Sequence, residues 1–156
     1  MSEADRALAL GCAYLNRRER TIAEMRTHLL CRGVAEPLVD ETVRTLADQR
    51  LLDDERFARL FVADKRELEH WGGERIRRGL QARGIDRELV DAALAAAVDD
   101  GEPQTELDRA LAVLRSRFPV PPADRRERER ALGVLLRKGY ESELALDALA
   151  AHARPT

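Results

Sequence analysis

Three glycines sit in matching surroundings along this chain, and that recurrence restricts its fold more than any other feature. The segments are Leu29-Leu30-Cys31-Arg32-Gly33-Val34, Leu80-Gln81-Ala82-Arg83-Gly84-Ile85 and Leu135-Leu136-Arg137-Lys138-Gly139-Tyr140. Each has leucine four residues before the glycine, a basic residue just before it and a bulky residue just after. Five residues past each glycine stand Leu38, Leu89 and Leu144, and ten past stand Val43, Leu94 and Leu149. Eight before stand Met25, Ile76 and Ala131, the last the weakest match. The glycines are 51 and 55 residues apart. A period of this size marks a repeat architecture, in which one supersecondary unit recurs.

The unit is legible in physical terms. Apolar residues eight and four before the glycine lie on one helix face. The glycine suits the left-handed position that ends a helix, and a basic neighbour suits the carbonyl end of the helix dipole. The residue after it can fold back over the last turn. A second amphipathic helix follows, apolar at plus five, six and ten. A further helix precedes each pair. In the first copy it covers about Asp5 to Asn16 with Leu8, Cys12 and Leu15 inward, and Thr21 with Glu24 forms a capping box for the next. In the second, Asp53 caps a helix whose inner face is Phe57, Leu60, Phe61 and Leu68, with Leu52 stapled onto Phe57. In the third, the helix runs about Thr105 to Arg117. Phe118-Pro119-Val120-Pro121-Pro122 breaks it, and Asp124 with Glu127 caps the next.

The expected fold is therefore all-α: three tandem three-helix repeats, about nine helices, in an elongated, curved array. The repeats are expected at 1–52, 53–100 and 101–156, with Asp99-Asp100-Gly101-Glu102-Pro103 as the weakest joint. One such unit alone would have a marginal core, so neighbours are expected to share packing surfaces. Composition agrees: 36% of residues are charged and only 4% aromatic, which favours helices over several thin cores.

The net charge of −2 conceals a segregation. The helices before the glycines lean basic, with Arg75, Arg77, Arg78 and Arg83 in the second copy. Arg125, Arg126, Arg130, Arg137 and Lys138 stand in the third. The helices after the glycines lean acidic, carrying Asp40, Glu41, Asp86, Glu88, Asp91 and Glu143 among others. In a helix-turn-helix DNA reader the second helix enters the major groove. Here that helix would be repelled by phosphates, so base reading by these helices is not expected. The basic helices remain candidates for a nucleic-acid backbone or an acidic protein surface.

Nothing points to catalysis. His28, His70 and His152 lack metal-ligand spacing. Gly72-Gly73 and the repeat glycines have no accompanying Walker lysine and serine or threonine. No GxSxG occurs, and the carboxylates fall on exposed faces or at caps. Cys12 and Cys31 are too far apart for a CxxC motif and are read as small buried hydrophobes. Trp71 is expected to wedge between units. No run approaches bilayer length, and no signal-peptide pattern opens the chain, so a cytoplasmic location is expected.

The ordered set Leu51-Leu52-Asp53-Asp54-Glu55-Arg56-Phe57-Ala58, Trp71-Gly72, Arg75-Ile76, Leu80 and Gly84-Ile85 resembles the central signature of the RecX family of recombination regulators. Tyr14-Leu15, Arg17-Arg18, Thr21, Glu24-Met25 and Leu29 through Gly33 resemble its first repeat. Arg117-Phe118, Arg130 and Leu136 through Tyr140 resemble its last. Thr21 stands where serine is usual, Val34 and Tyr140 replace the common phenylalanine, and the proline-rich insertion is a departure. The resemblance spans about Ala7 to Leu149. It implies a cytoplasmic protein without cofactor or chemistry that binds the RecA recombinase, above all its filament on single-stranded DNA, and suppresses its ATPase and strand exchange. A monomer is expected. Partner contact is expected at Arg75, Arg77, Arg78, Arg83, Arg125, Arg126, Arg130, Arg137 and Lys138, against acidic patches of RecA or the single-stranded DNA backbone. Two alternatives stand beside this: a generic helical scaffold for another protein, and a non-specific DNA binder acting by competition.

Overall fold

The structure, a computed structural model, describes residues 1–99 and 105–154. Among the described residues the chain forms nine α-helices and no strand. They are α1 (Glu3–Leu15), α2 (Ile22–Cys31), α3 (Glu36–Asp48), α4 (Asp54–Glu67), α5 (Gly73–Ala82), α6 (Arg87–Asp99), α7 (Glu106–Arg117), α8 (Arg125–Lys138) and α9 (Ser142–Ala153). Of the expected weak joint, Asp100 through Pro103 lies outside the described residues.

The three glycine turns are the same object built three times. Gly33, Gly84 and Gly139 have φ of 81°, 81° and 98°. The amide after each glycine donates to the carbonyl five residues back: Val34 to Leu29 at 3.0 Å, Ile85 to Leu80 at 3.2 Å, Tyr140 to Leu135 at 3.1 Å. The glycine amides donate to Leu30, Gln81 and Leu136. This is the Schellman pair of bonds, and it needs a residue without Cβ strain in the left-handed region. Val34, Ile85 and Tyr140 are buried as expected. Starts are equally plain. Thr21 and Glu24 form a reciprocal capping box, and the carboxyls of Asp53 and Asp124 accept from Arg56 and Glu127. The first helix begins earlier than expected, because Ser2 and Asp5 make a capping box of their own.

Each helix triplet encloses its own core. One cluster gathers Ala7, Met25, Leu29, Val34, Val39, Leu46 and Leu52. A second gathers Phe57, Ala58, Phe61, Val62, Ile76, Leu80, Ile85, Val90 and Ala93. The third is built on Leu111, Leu114, Val134, Leu135, Tyr140 and Ala148 with their neighbours. Close helix pairing likewise stays within triplets. The accessible surface is 10009 Å², whereas a compact monomer of this length would show roughly 7,900 Å². The excess is what an extended array of separate cores produces.

Several expected inward positions are displaced. Cys12 and Cys31 are both exposed. It is Gly11, not Cys12, that faces the core, where a Cβ would stand 3.0 Å from Leu46 Cδ1. The stripe therefore runs through Ala7 and Gly11, because small residues let α1 close on α3. Leu60 is 48% exposed and Leu68 is also exposed, while Ala58 and Val62 are buried in their stead. In the helix after each glycine the positions buried in all three copies are Val39, Val90 and Ala145, then Thr42, Ala93 and Ala148 one turn on. The second set escaped notice because two are alanine and one is threonine. Leu52 joins the first core, while its expected staple partner Phe57 belongs to the second. His28 lies face to face on Tyr14 with centroids 3.8 Å apart. Burial, then Arg32, Arg20 and Arg17, hold its pKa below the ordinary histidine value.

Candidate partner-binding surface

The repeats do not share helix faces; they meet through helix ends. At the first seam the N-terminal turn of α2 sits on the glycine turn that ends α5. Thr21 Oγ1 donates to the Arg83 carbonyl at 2.7 Å, and a Cβ on Gly84 would fall 2.3 Å from Ala23 Cβ. Ile22 N–H donates to Asp54 at 2.9 Å, and Arg56 pairs with Glu19. Burial pushes the Asp54 carboxyl above its ordinary pKa against the Ile22 hydrogen bond, and Asp86, Asp53 and Glu24 add to the rise.

The second seam repeats the pattern one unit along. The N-terminal turn of α5 sits on the glycine turn that ends α8. Gly72 N–H donates to the Lys138 carbonyl at 2.8 Å and Glu74 N–H to Gly139 at 3.1 Å. Amide ends thus meet carbonyl ends, so each helix supplies the partners its neighbour's terminus lacks. Gly73 N–H donates to the Glu106 carboxylate at 2.6 Å, and Tyr140 Oη donates to the His70 carbonyl at 3.0 Å. Burial, with Glu106 nearby, pushes the Tyr140 hydroxyl up to about 12.

The second seam also holds a shallow groove of about 630 Å³, lined by Trp71, Arg75, Arg78, Gly79, Leu136 and Arg137. Local sequence builds it simply. Trp71 packs edge-on against Phe61 at the margin of the second core, and Gly79 leaves no Cβ beneath the pair. The Arg75 guanidinium lies 4.0 Å from the Trp71 ring centroid and donates to the Arg137 carbonyl at 3.2 Å. Arg78 Nε faces the Glu74 carbonyl of its own helix at 3.4 Å. Arg78 and Arg137 are exposed.

Of the nine basic residues singled out in the sequence, the structure gathers Arg75, Arg78 and Arg137 here. Lys138 and Arg83 are engaged in the seams or their own repeat. Lys138 Nζ donates to the Glu69 carbonyl at 2.8 Å, and the Arg83 guanidinium donates to Gly79 at 2.9 Å beside the Phe61 ring. Arg77 is paired with Asp91. Arg125, Arg126 and Arg130 lie on exposed α8 away from the groove, Arg125 paired with Glu129 and Arg130 over Phe118. Trp71 lines the groove as well as closing the core margin, a double role that its spacing did not signal. Leu136 was missed as a surface residue because its neighbours read as one apolar helix face.

Among the described residues no group of histidine, cysteine and carboxylate side chains could hold a metal. None of their helices is long and apolar enough to cross a membrane. Three cored helical units joined end to end, with a basic groove across one seam, define a helical-repeat protein. Residues 53–94 match the family model described as RecX, second three-helix domain, and residues 104–149 match that of the third. The chain belongs to the RecX family. Regulatory protein RecX of Mycobacterium sp. (strain KMS) is 33% identical over 149 residues, covering 92% of this chain and 79% of that protein. The Trichlorobacter lovleyi regulatory protein RecX is 33% identical over 133 residues, covering 83% and 84%. The crystal structure of RecX from Lactobacillus salivarius superposes with a TM-score of 0.81 at 20% identity, covering 96% of each chain, and shares the fold.

Proposed function

We propose that this chain regulates the RecA recombinase, binding RecA and its filament on single-stranded DNA and restraining ATPase and strand exchange. Family membership across most of the chain carries the reading, since the relatives are named as regulatory proteins. The architecture supports it. Units divided at about 1–52, 53–100 and 101–156, each cored separately, can contact successive subunits of a filament. Weak contacts so linked bind tightly together. The protein acts by docking alone, as a monomer in the cytoplasm, without cofactor or chemistry. Arg75, Arg78 and Arg137 form the centre of the contact surface. Arg125, Arg126 and Arg130 are peripheral to it, while Arg77, Arg83 and Lys138 serve mainly within the fold.

The test is the DNA-dependent ATPase of RecA with this protein added in substoichiometric amounts. Inhibition well below levels that coat the DNA supports filament binding. Inhibition only when DNA is saturated points to competition for strand, and no effect leaves a scaffold for another partner.

A further inference from the structure

The repeats are alike enough that their differences are informative, and one difference falls beside the seam groove. In the first repeat Arg26 of α2 pairs with Asp40 of α3, and in the second Arg77 of α5 pairs with Asp91 of α6. These are the same two positions, seven before and seven after the glycine. In the third repeat they are Leu132 and Leu146. Leu146 is 54% exposed, and Leu132 is partly buried against the third core. Leu132 also lies one helical turn from Leu136, which is 39% exposed in the groove. An ion-paired surface in two repeats has become an apolar one in the third, one helical turn from Leu136, which lines the groove with Arg75, Arg78 and Arg137, and from Ser142, which lines the adjoining hollow.

We propose that this surface, the Arg75/Arg78/Arg137 groove with the leucines of α8 and α9 beside it, takes a short acidic segment of a partner protein that presents an apolar side chain. The guanidinium groups offer carboxylates planar, two-pronged donors. The leucines offer the apolar anchor that protein contacts use and phosphate tracks do not. Nucleic acid fits less well for two reasons. Single strands bind by stacking bases on aromatic faces, and Trp71 is already covered by Arg75, with Lys65 4.8 Å from its centroid. A continuous phosphate backbone would also run into Glu74 and Glu141, which line the adjoining hollow of about 490 Å³ past Arg78. A short anionic segment ends before it meets them.

The proposal rests on the docking role given above, but its test contains no recombinase and can fail separately. Fluorescence anisotropy would follow a short labelled peptide of glutamate and serine with one central leucine, its leucine-to-serine twin, and oligothymidylate of similar length. The leucine peptide is expected to bind saturably and roughly fivefold more tightly than the twin. Arg78→Glu should weaken both peptides by about tenfold, and Leu136→Ser should abolish the difference between them. Both residues are exposed, and circular dichroism would show that the variants fold; Arg137→Glu repeats the charge test independently. Equal binding of the two peptides, tighter binding of oligothymidylate, or no binding of the leucine peptide would overturn the proposal.

Discussion

Gly139 and Arg75 touch so closely that a Cβ on the glycine would stand 2.3 Å from Cβ of the arginine and 2.6 Å from its amide nitrogen. Gly84 meets Ala23 in the same way at 2.3 Å, whereas Gly33, with the same positive φ, has nothing within 4 Å. The three glycines share one conformational duty, but only two are also seats for a neighbouring helix.

Alanine substitution separates those duties. Gly33→Ala should cost about 1–2 kcal/mol, the strain of a side chain in the left-handed region. Gly84→Ala and Gly139→Ala should cost a further ~1–3 kcal/mol, because overpacking is added to strain. Thermal unfolding would rank them. Hydrogen exchange should show the α2 start loosening in Gly84→Ala and the α5 start loosening in Gly139→Ala, with neither effect in Gly33→Ala. Equal costs at all three positions would mean that the seams carry no load.

Tyr140 tests the second seam from the side-chain end. Its hydroxyl donates to the carbonyl of His70, a residue held at φ 55°. Tyr140→Phe keeps the ring in the third core and strands that carbonyl, at a cost of about 1–2 kcal/mol. The expected readout is a lower melting temperature together with faster amide exchange around residues 69–73. A substitution that lowered stability without touching exchange there would place the loss inside the third core instead.

Asp54 makes the first seam dependent on pH. Its carboxyl accepts from Ile22 N–H while burial raises its pKa above the ordinary aspartate value. A raised folded pKa means that the native state favours the protonated form. This group's contribution is therefore fully present below 3.8 and is lost as pH rises through the folded pKa. Asp54→Asn keeps an acceptor and removes the charge, so it should be neutral or stabilising at pH ~7, with any gain shrinking as the solution is acidified. Asp54→Ala removes the acceptor and should cost about 1–2 kcal/mol at neutral pH. Denaturant melts of both variants across the acidic range check the sign. An Asn variant less stable than the parent at neutral pH would show that the charge itself holds the seam.

The parts of this fold that could be read beforehand are those whose physics is local. A Schellman turn needs only glycine and its near neighbours, and a capping box needs Thr21 and Glu24 three residues apart. What escaped was decided between elements. Whether Cys12 or Gly11 faces inward depends on how closely α1 approaches Leu46. Whether Arg77 is available to a partner depends on Asp91 in the next helix. The groove was half legible: its arginines stood out as a basic run, but its leucine and tryptophan walls exist only because α5 sits on the end of α8. Nothing in the spacing of Ala23 or Arg75 announced that each would lie on a glycine more than sixty residues away.

The exchange of an ion pair for two leucines yields the most direct separation of folding from docking. In repeats one and two the arginine at this place keeps about a third of its side chain exposed, 37% for Arg26 and 33% for Arg77. Its aliphatic stem therefore covers core that Leu132 covers in repeat three. Giving repeat three the pattern of the other two with Leu132→Arg and Leu146→Asp together should yield a fold with stability within about 1 kcal/mol of the parent, since an exposed pair of this type contributes little. Either change alone should be worse, leaving a charge without its partner beside an apolar side chain. If the leucines are a docking surface and the chain restrains RecA as proposed, the double variant should melt like the parent and yet inhibit RecA's ATPase less at every concentration. If they are there only to fill the core, the double variant should lose stability and keep its inhibition in proportion to the fraction folded.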